Sequence, residues 1–283
     1  MQHALSFSSP VLSLVGFLHG KLTEAFSEAR PLRLGGLQCL QPCLLPHQRS
    51  ASTGSKILVE MDDSTGRYPA PENRGGGLSA LPKIFSAGLD IMEMYGKSPE
   101  HCGEFWKAVQ EMWLRLYGSS MITVAAINGS SPAGGCLMAL ACDYRIMAEN
   151  PKYSIGLNET QLGIVAPFWF KDTLVNTVGN RAAELSLQLG LLYSAPDALR
   201  TGLVDLLVPE DKVLSTASQT MTQWLAIPDH ARQITKSMMR KPTVDRLLAS
   251  REPDVKNFVS FITKDSIQKS LQVYMERLKH RKP

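Results

Sequence analysis

Ile127-Asn128-Gly129-Ser130-Ser131-Pro132-Ala133-Gly134-Gly135-Cys136-Leu137, together with Gly156-Leu157-Asn158-Glu159-Thr160-Gln161 downstream, decides how this chain is read. The first stretch leaves an apolar strand, turns through Asn, Gly and Pro, and places two adjacent glycines at the head of an apolar helix. Backbone N–H groups at such a helix start stabilise a developing negative charge. The second stretch offers one acid, Glu159, between Leu157 and Leu162, with Ile155, Ile164 and Val165 close by. Burial in such a setting raises a carboxyl pKa toward a value useful for a base. The combination points to chemistry through an enolate.

Each feature also has a plainer reading. Gly134-Gly135 would equally allow close helix packing, and most glutamates lie on the surface. Asp90 and Asp143 stand beside turns, where hydrogen bonding to the backbone is the ordinary role. Phe168-Trp169-Phe170 reads as core, or as one wall of an apolar pocket.

Working outward, Met121–Ile127 is an apolar strand closed by Asn128-Gly129, and Gly134–Cys142 is a helix apolar all round, hence buried. Ser98-Pro99-Glu100 starts a helix with a Ser cap and Pro in the first turn. Phe105, Val109, Met112, Trp113 and Leu116 recur on one face of it. Ile84–Asp90 is a strand end entering a tight turn, and Tyr144–Ala148 and Tyr153–Gly156 are short strands. Asn180–Leu189 and Ala195–Thr201 are helical, and Leu203–Val208 is a strand stopped by Pro209. The rest is amphipathic helix, ending at 265–279. Strands followed by helices indicate an α/β core with a helical C-terminal region.

Composition sets outer bounds. The chain has 283 residues, 44% hydrophobic and 20% charged, ordinary for a globular protein with ample core. A net charge of +4, without a basic run, does not argue for nucleic acid. Five cysteines, none in a Cys-x-x-Cys pair, do not suggest a disulfide framework. Six histidines lack ligand spacing, so no metal is expected. Residues 1–56 contain only two acids, Glu24 and Glu28, against Lys21, Arg30, Arg33, Arg49 and Lys56. That is the composition of a mitochondrial transit peptide, or of a disordered leader. The apolar Val11–Leu18 is too short to cross a membrane. Ile57–Met61 opens the globular part as a strand. Residues 62–82 then form an atypical loop rich in Gly, Pro, Asn, Asp and Ser, unusual within a compact domain.

Phe85-Ser86-Ala87-Gly88-Leu89-Asp90, Asn128-Gly129 with Pro132-Ala133-Gly134-Gly135-Cys136, Cys142-Asp143-Tyr144-Arg145 and Gly156-Leu157-Asn158-Glu159-Thr160-Gln161-Leu162-Gly163 follow in an order and spacing that resembles the crotonase (enoyl-CoA hydratase/isomerase) superfamily. The likeness runs from Ile84 to the end. It implies a crotonase-like ββα spiral core over 57–227 and a helical region over 228–283. The first part of the sheet would be shortened, since residues 62–82 stand where the family has a strand–helix–strand segment. It also implies oxyanion donors at the Ala87 and Gly134 amides, with Ala87, Gly88, Leu89, Asp90, Ile91, Gly134 and Asn158 lining the site of an acyl-CoA thioester. The family's catalytic carboxylate falls on Glu159. The hydratase branch carries a second Glu where this chain has Leu137, which favours a double-bond shift over hydration. By the same resemblance the protein would be a homotrimer of the mitochondrial matrix without a cofactor, since coenzyme A is part of the substrate. The alternative is a catalytically impaired relative acting only through subunit association.

Overall fold

A computed structural model describes residues 56–59 and 83–280; the expected leader except Lys56, which belongs to the first strand, and the 62–82 loop lie outside the described residues. The first strand, β1 (Lys56–Val59), runs parallel to β3 (Ile122–Ile127), with Lys56 opposite Ile122 and Val59 opposite Ala125. After β2 (Lys83–Ile84) the chain makes a loop and a 3-10 turn (Ile91–Glu93), then helix α1 (Pro99–Tyr117). Ser98 caps α1 as its sequence predicts, its Oγ accepting from the His101 N–H at 3.2 Å. All five of the apolar positions that mark the face of α1 are buried.

All six residues of β3 are buried, as a strand covered on both faces requires. Asn128 ends β3, but the chain does not turn there as the Asn-Gly pair suggests. Gly129–Pro132 continues as strand β4 in a second sheet. Small residues hide this strand from a propensity reading, and its partners define it: Ser130 lies opposite Ile84, and Ser131 opposite Ile155. Helix α2 (Gly134–Ala141) follows and is buried throughout.

The same sequence of moves repeats. Strand β5 (Tyr144–Ala148) joins β3, β6 (Ser154–Gly156) joins β4, and helices α3 (Phe168–Val178) and α4 (Asn180–Leu189) follow. Strand β7 (Tyr193–Ser194) closes the second sheet antiparallel to β6, and after α5 (Ala195–Arg200) strand β8 (Leu206–Val208) closes the first. Among the described residues, two four-stranded sheets, ordered β1-β3-β5-β8 and β2-β4-β6-β7, thus receive strands in alternation as far as β6, with helices between turns; β7 then joins the sheet of β6. This is the ββα spiral. Strand β8 begins three residues later than the sequence suggests. Leu203 and Val204 are buried, but both amides donate to the Ala198 carbonyl, at 2.8 and 3.2 Å, and so wrap the end of α5.

The C-terminal region comprises α6 (Val213–Leu225), α7 (Asp229–Ala249), α8 (Arg251–Ile262) and α9 (Asp265–His280). Polar bonds fasten α7 to the first sheet. Lys236 Nζ donates to the Met121 carbonyl and to Asp143 at 2.8 Å each, and Arg240 donates to the carbonyls of Tyr117, Ala141 and Cys142. Gln268 fastens α9 to the loop after β2: it accepts from the Gly96 N–H at 2.9 Å and donates to the Met94 carbonyl at 3.1 Å. No helix among the described residues is long and apolar enough to cross a membrane.

Candidate active site

The loop after β2 is zipped to β4 through the Phe85 and Ser86 amides, which both donate to the Ser130 carbonyl, at 2.8 and 3.3 Å. This brings Ser86 to Gly88 against the start of α2. A Cβ on Gly135 would stand 2.7 Å from the Ser86 carbonyl oxygen, so this position admits only glycine without displacing the loop. Gly88 has φ +96, the left-handed side that glycine enters freely, and its Cα-side face lies against the Gly134 amide. Close packing and outward amides are therefore not rival explanations of the Gly-Gly pair. Gly135 allows the approach, and Gly134 presents the amide.

Ala133, between strand and helix, has φ 50 and ψ −123 and is the only non-glycine residue with positive φ among the described residues. Such a conformation is strained for an L residue and clusters at functional sites. It is held by the Ala133 N–H bond to the Gly156 carbonyl at 2.8 Å and by the Leu137 N–H bond to the Ala133 carbonyl at 3.0 Å. With those bonds made, the amides of Ala87 and Gly134 have no acceptor among the described residues. Both residues line one cavity of about 520 Å³. Helix α2 adds the positive end of its dipole and carries no acid in its first turn.

Glu159 lines the same cavity. It opens a 3-10 turn, Glu159–Leu162, that ends at Gly163 with φ 74. Its neighbours pin this turn to α4: Thr160 Oγ1 donates to the Leu187 carbonyl at 2.9 Å, and Gln161 Nε2 to the Gly190 carbonyl at 2.8 Å. Glu159 itself has no such anchor. The residue as a whole is half-buried, but its Oε2 is fully buried and unpartnered. Loss of water around the carboxyl pushes its pKa up to about 7, against a smaller lowering by its own backbone amide. A group so placed exchanges a proton near neutrality.

Of the residues expected at the site, Ala87, Leu89, Ile91, Gly134, Asn158 and Glu159 line the cavity. Gly88 and Asp90 do not. Gly88 shapes the turn, and Asp90 Oδ1 accepts from the Met92 N–H at 2.8 Å, capping the 3-10 turn that follows. Leu137 is buried in α2, so no carboxyl occupies that position. Asp254, on α8, is the only other acid on the cavity wall among the described residues. Cys136 is no nucleophile: burial, and then the nearby Glu159, push its thiol far above the usual range. Among the described residues, no three His, Cys, Asp or Glu side chains gather as a metal site.

The C-terminal side of the cavity is not legible from the motifs. Asn257, Phe258 and Phe261 from α8, and Leu271 and Tyr274 from α9, form it. Their only sequence signal is an apolar face on each helix. Phe168 and Phe170 line the cavity while Trp169 sits in the core, so that triplet serves both of its readings.

Comparison with known proteins matches these features. Residues 73–282 match the family model described as enoyl-CoA hydratase/isomerase. The mitochondrial enoyl-CoA delta isomerase 1 of Mus musculus is 66% identical over 204 residues, covering 72% of this chain and 71% of that protein. The Homo sapiens protein of the same name is also 66% identical, over 72% of this chain and 68% of its own length. The crystal structure of human mitochondrial delta3-delta2-enoyl-CoA isomerase superposes with a TM-score of 0.71 at 65% identity, covering 72% of this chain and 80% of that one. The chain belongs to the enoyl-CoA hydratase/isomerase family.

Proposed function

We propose that this protein is the isomerase that converts 3-enoyl-CoA to 2-trans-enoyl-CoA in fatty-acid β-oxidation. The observation that carries the reading is one buried, unpartnered carboxylate, Glu159, sharing a cavity with two unsatisfied amides, Ala87 and Gly134. Relatives at 66% identity bear the name of this activity.

In the reaction, the thioester oxygen accepts hydrogen bonds from the Ala87 and Gly134 amides. Glu159 takes a proton from C2; the electrons of that C–H bond pass into the thioester, giving a dienolate conjugated with the C3–C4 double bond. The protonated Glu159 then returns the proton to C4. The double bond re-forms between C2 and C3, and the carbonyl is restored. Each oxyanion donor is worth about 3 kcal/mol in the transition state. A pKa of about 7 suits a group that must both take and return a proton. Hydration would need a second acid to handle water, and Leu137 supplies none.

Leu89, Ile91 and Asn158 line the acyl-CoA path, and Gly88 and Asp90 keep the loop in the shape that path needs. The reaction uses no cofactor, because coenzyme A travels on the substrate. The relatives' names support a mitochondrial setting; we place the protein in the matrix as a homotrimer, with the residues ahead of β1 as the transit peptide. The test is to incubate the purified chain with a 3-enoyl-CoA ester and identify the product by NMR and mass. A 2-trans-enoyl ester of unchanged mass supports the proposal. A product heavier by one water would make the protein a hydratase. A well-folded protein without turnover would leave subunit association as its role.

A further inference from the structure

One carboxylate oxygen ties three helices together at the buried side of the cavity. Asp254 Oδ2, on α8, accepts from Trp106 Nε1 and Gln110 Nε2 of α1 at 2.8 Å each, and from Trp169 Nε1 of α3 at 3.3 Å. Gln110 Nε2 also donates to the Arg251 carbonyl at 3.2 Å, one turn before Asp254. Charge-assisted bonds of this kind are strong and directional, and leaving a buried carboxylate without them is unfavourable.

The Trp106 indole is fixed in its plane as well. It stacks on Phe258, one helical turn from Asp254, with centroids 3.9 Å apart and planes 5° from parallel. Trp169 and Phe170 stand behind it, at 5.6 and 6.1 Å. Trp106 and Asp254 both line the cavity, and Trp106 is only 4% exposed, whereas Val165 on the same wall is 68% exposed and marks the open rim. Phe170 and Leu271 on the same wall are buried at least as deeply, at 1% and 0% exposed, but the indole is the part of this deep wall that a side-chain hydrogen bond pins in place. It cannot swing aside without giving up its bond to Asp254 and its stacking on Phe258.

We propose that Trp106, held in place by Asp254, is the specificity-determining wall that limits how long an acyl tail this site accepts. The inference rests on the acyl-CoA reading of the cavity given above. A tail short enough to stop at the indole face gains apolar contact. A longer one has to displace an anchored ring, and beyond it meets a carboxylate that hydrocarbon does not solvate. Phe261, Leu271 and Val165 carry no such anchor, so the limit falls on Trp106.

The test compares wild type, Trp106→Phe and Asp254→Asn. Two measurements are made on short- to long-chain esters: kcat/KM for 3-enoyl-CoA, and Kd for saturated acyl-CoA. Trp106→Phe shortens the ring and deletes its N–H; the ratio of kcat/KM for the longest ester to that for the shortest should rise about tenfold, the scale at which an apolar pocket discriminates added methylenes. Asp254→Asn keeps the indole but loosens its tether, and the ratio should move the same way by less. A purely structural role would lower all lengths alike and leave the ratio at the wild-type value, which would overturn the proposal. An unchanged length profile in both variants would overturn it too. If the wild type turns over no ester, the isomerase reading fails. The Kd series still reads the wall, and a length dependence relaxed in Trp106→Phe supports it there.

Discussion

Two carboxylates in this fold occupy similar surroundings and are treated in opposite ways. Asp143, just ahead of β5, has a side chain only 5% exposed and saturated with partners. Its Oδ2 accepts from the Thr123 amide at 2.8 Å and Thr123 Oγ1 at 3.0 Å, Lys236 sits on the same oxygen at 2.8 Å, and Arg240 lies 2.9 Å from Oδ1. Glu159, just after β6, has a buried oxygen with no partner and a pKa pushed up to about 7. Saturation makes Asp143 a tether that joins α7 to the first sheet. Omission leaves Glu159 free to gain and lose a proton. What separates the structural acid from the one proposed to carry the proton is the partners each is given, more than depth of burial.

The comparison breaks if the two residues respond alike to loss of charge. Glu159→Gln should lower kcat by about a thousandfold, the middle of the range for removing a general acid–base group, with the fold intact by circular dichroism. Asp143→Asn should do the reverse. It leaves Lys236 and Arg240 without their anion, and urea unfolding should show a loss of about 3 kcal/mol, while kcat per folded molecule stays near wild type.

A smaller effect sharpens the contrast. Because the folded pKa of Glu159 is raised from 4.5 to about 7, the folded state binds more protons than the unfolded one between those values. The associated stability is fully present below about pH 4.5 and is lost as pH rises through about 7. Glu159→Gln should therefore stabilise the protein by about 2.5 kcal/mol more at pH 8 than at pH 5, read from melting curves. Gly135→Ala should have the smallest effect. Its new Cβ presses on the Ser86 carbonyl, parts the Ala87 and Gly134 amides, and should reduce kcat/KM about tenfold, since misplacement of an ångström costs up to about a hundredfold.

Much of this was open to sequence reading where a residue's role is local. Ser98 and Pro99 announce α1, the apolar runs of β3 and α2 announce burial, and the apolar neighbours of Glu159 announce its shifted pKa. What escaped was set by distant partners. Gly129–Pro132 is a strand only because Ser130 and Ser131 meet β2 and β6. Ala133 takes a positive φ because the Gly156 carbonyl and the turn into α2 hold it there. The cavity's C-terminal side depends on α8 and α9 folding back some hundred residues later, which periodicity along those helices does not encode.

Glu159, left unpartnered, is proposed as the single proton carrier of a double-bond shift. This role is tested most directly by the pH dependence of kcat/KM for a 3-enoyl-CoA ester, measured on the purified wild-type chain and on Glu159→Gln side by side. The wild-type rate should rise through about pH 7 as Glu159 loses its proton, and the variant should stay near background at every pH. Substantial turnover by Glu159→Gln, or a wild-type profile flat across neutrality, would contradict it.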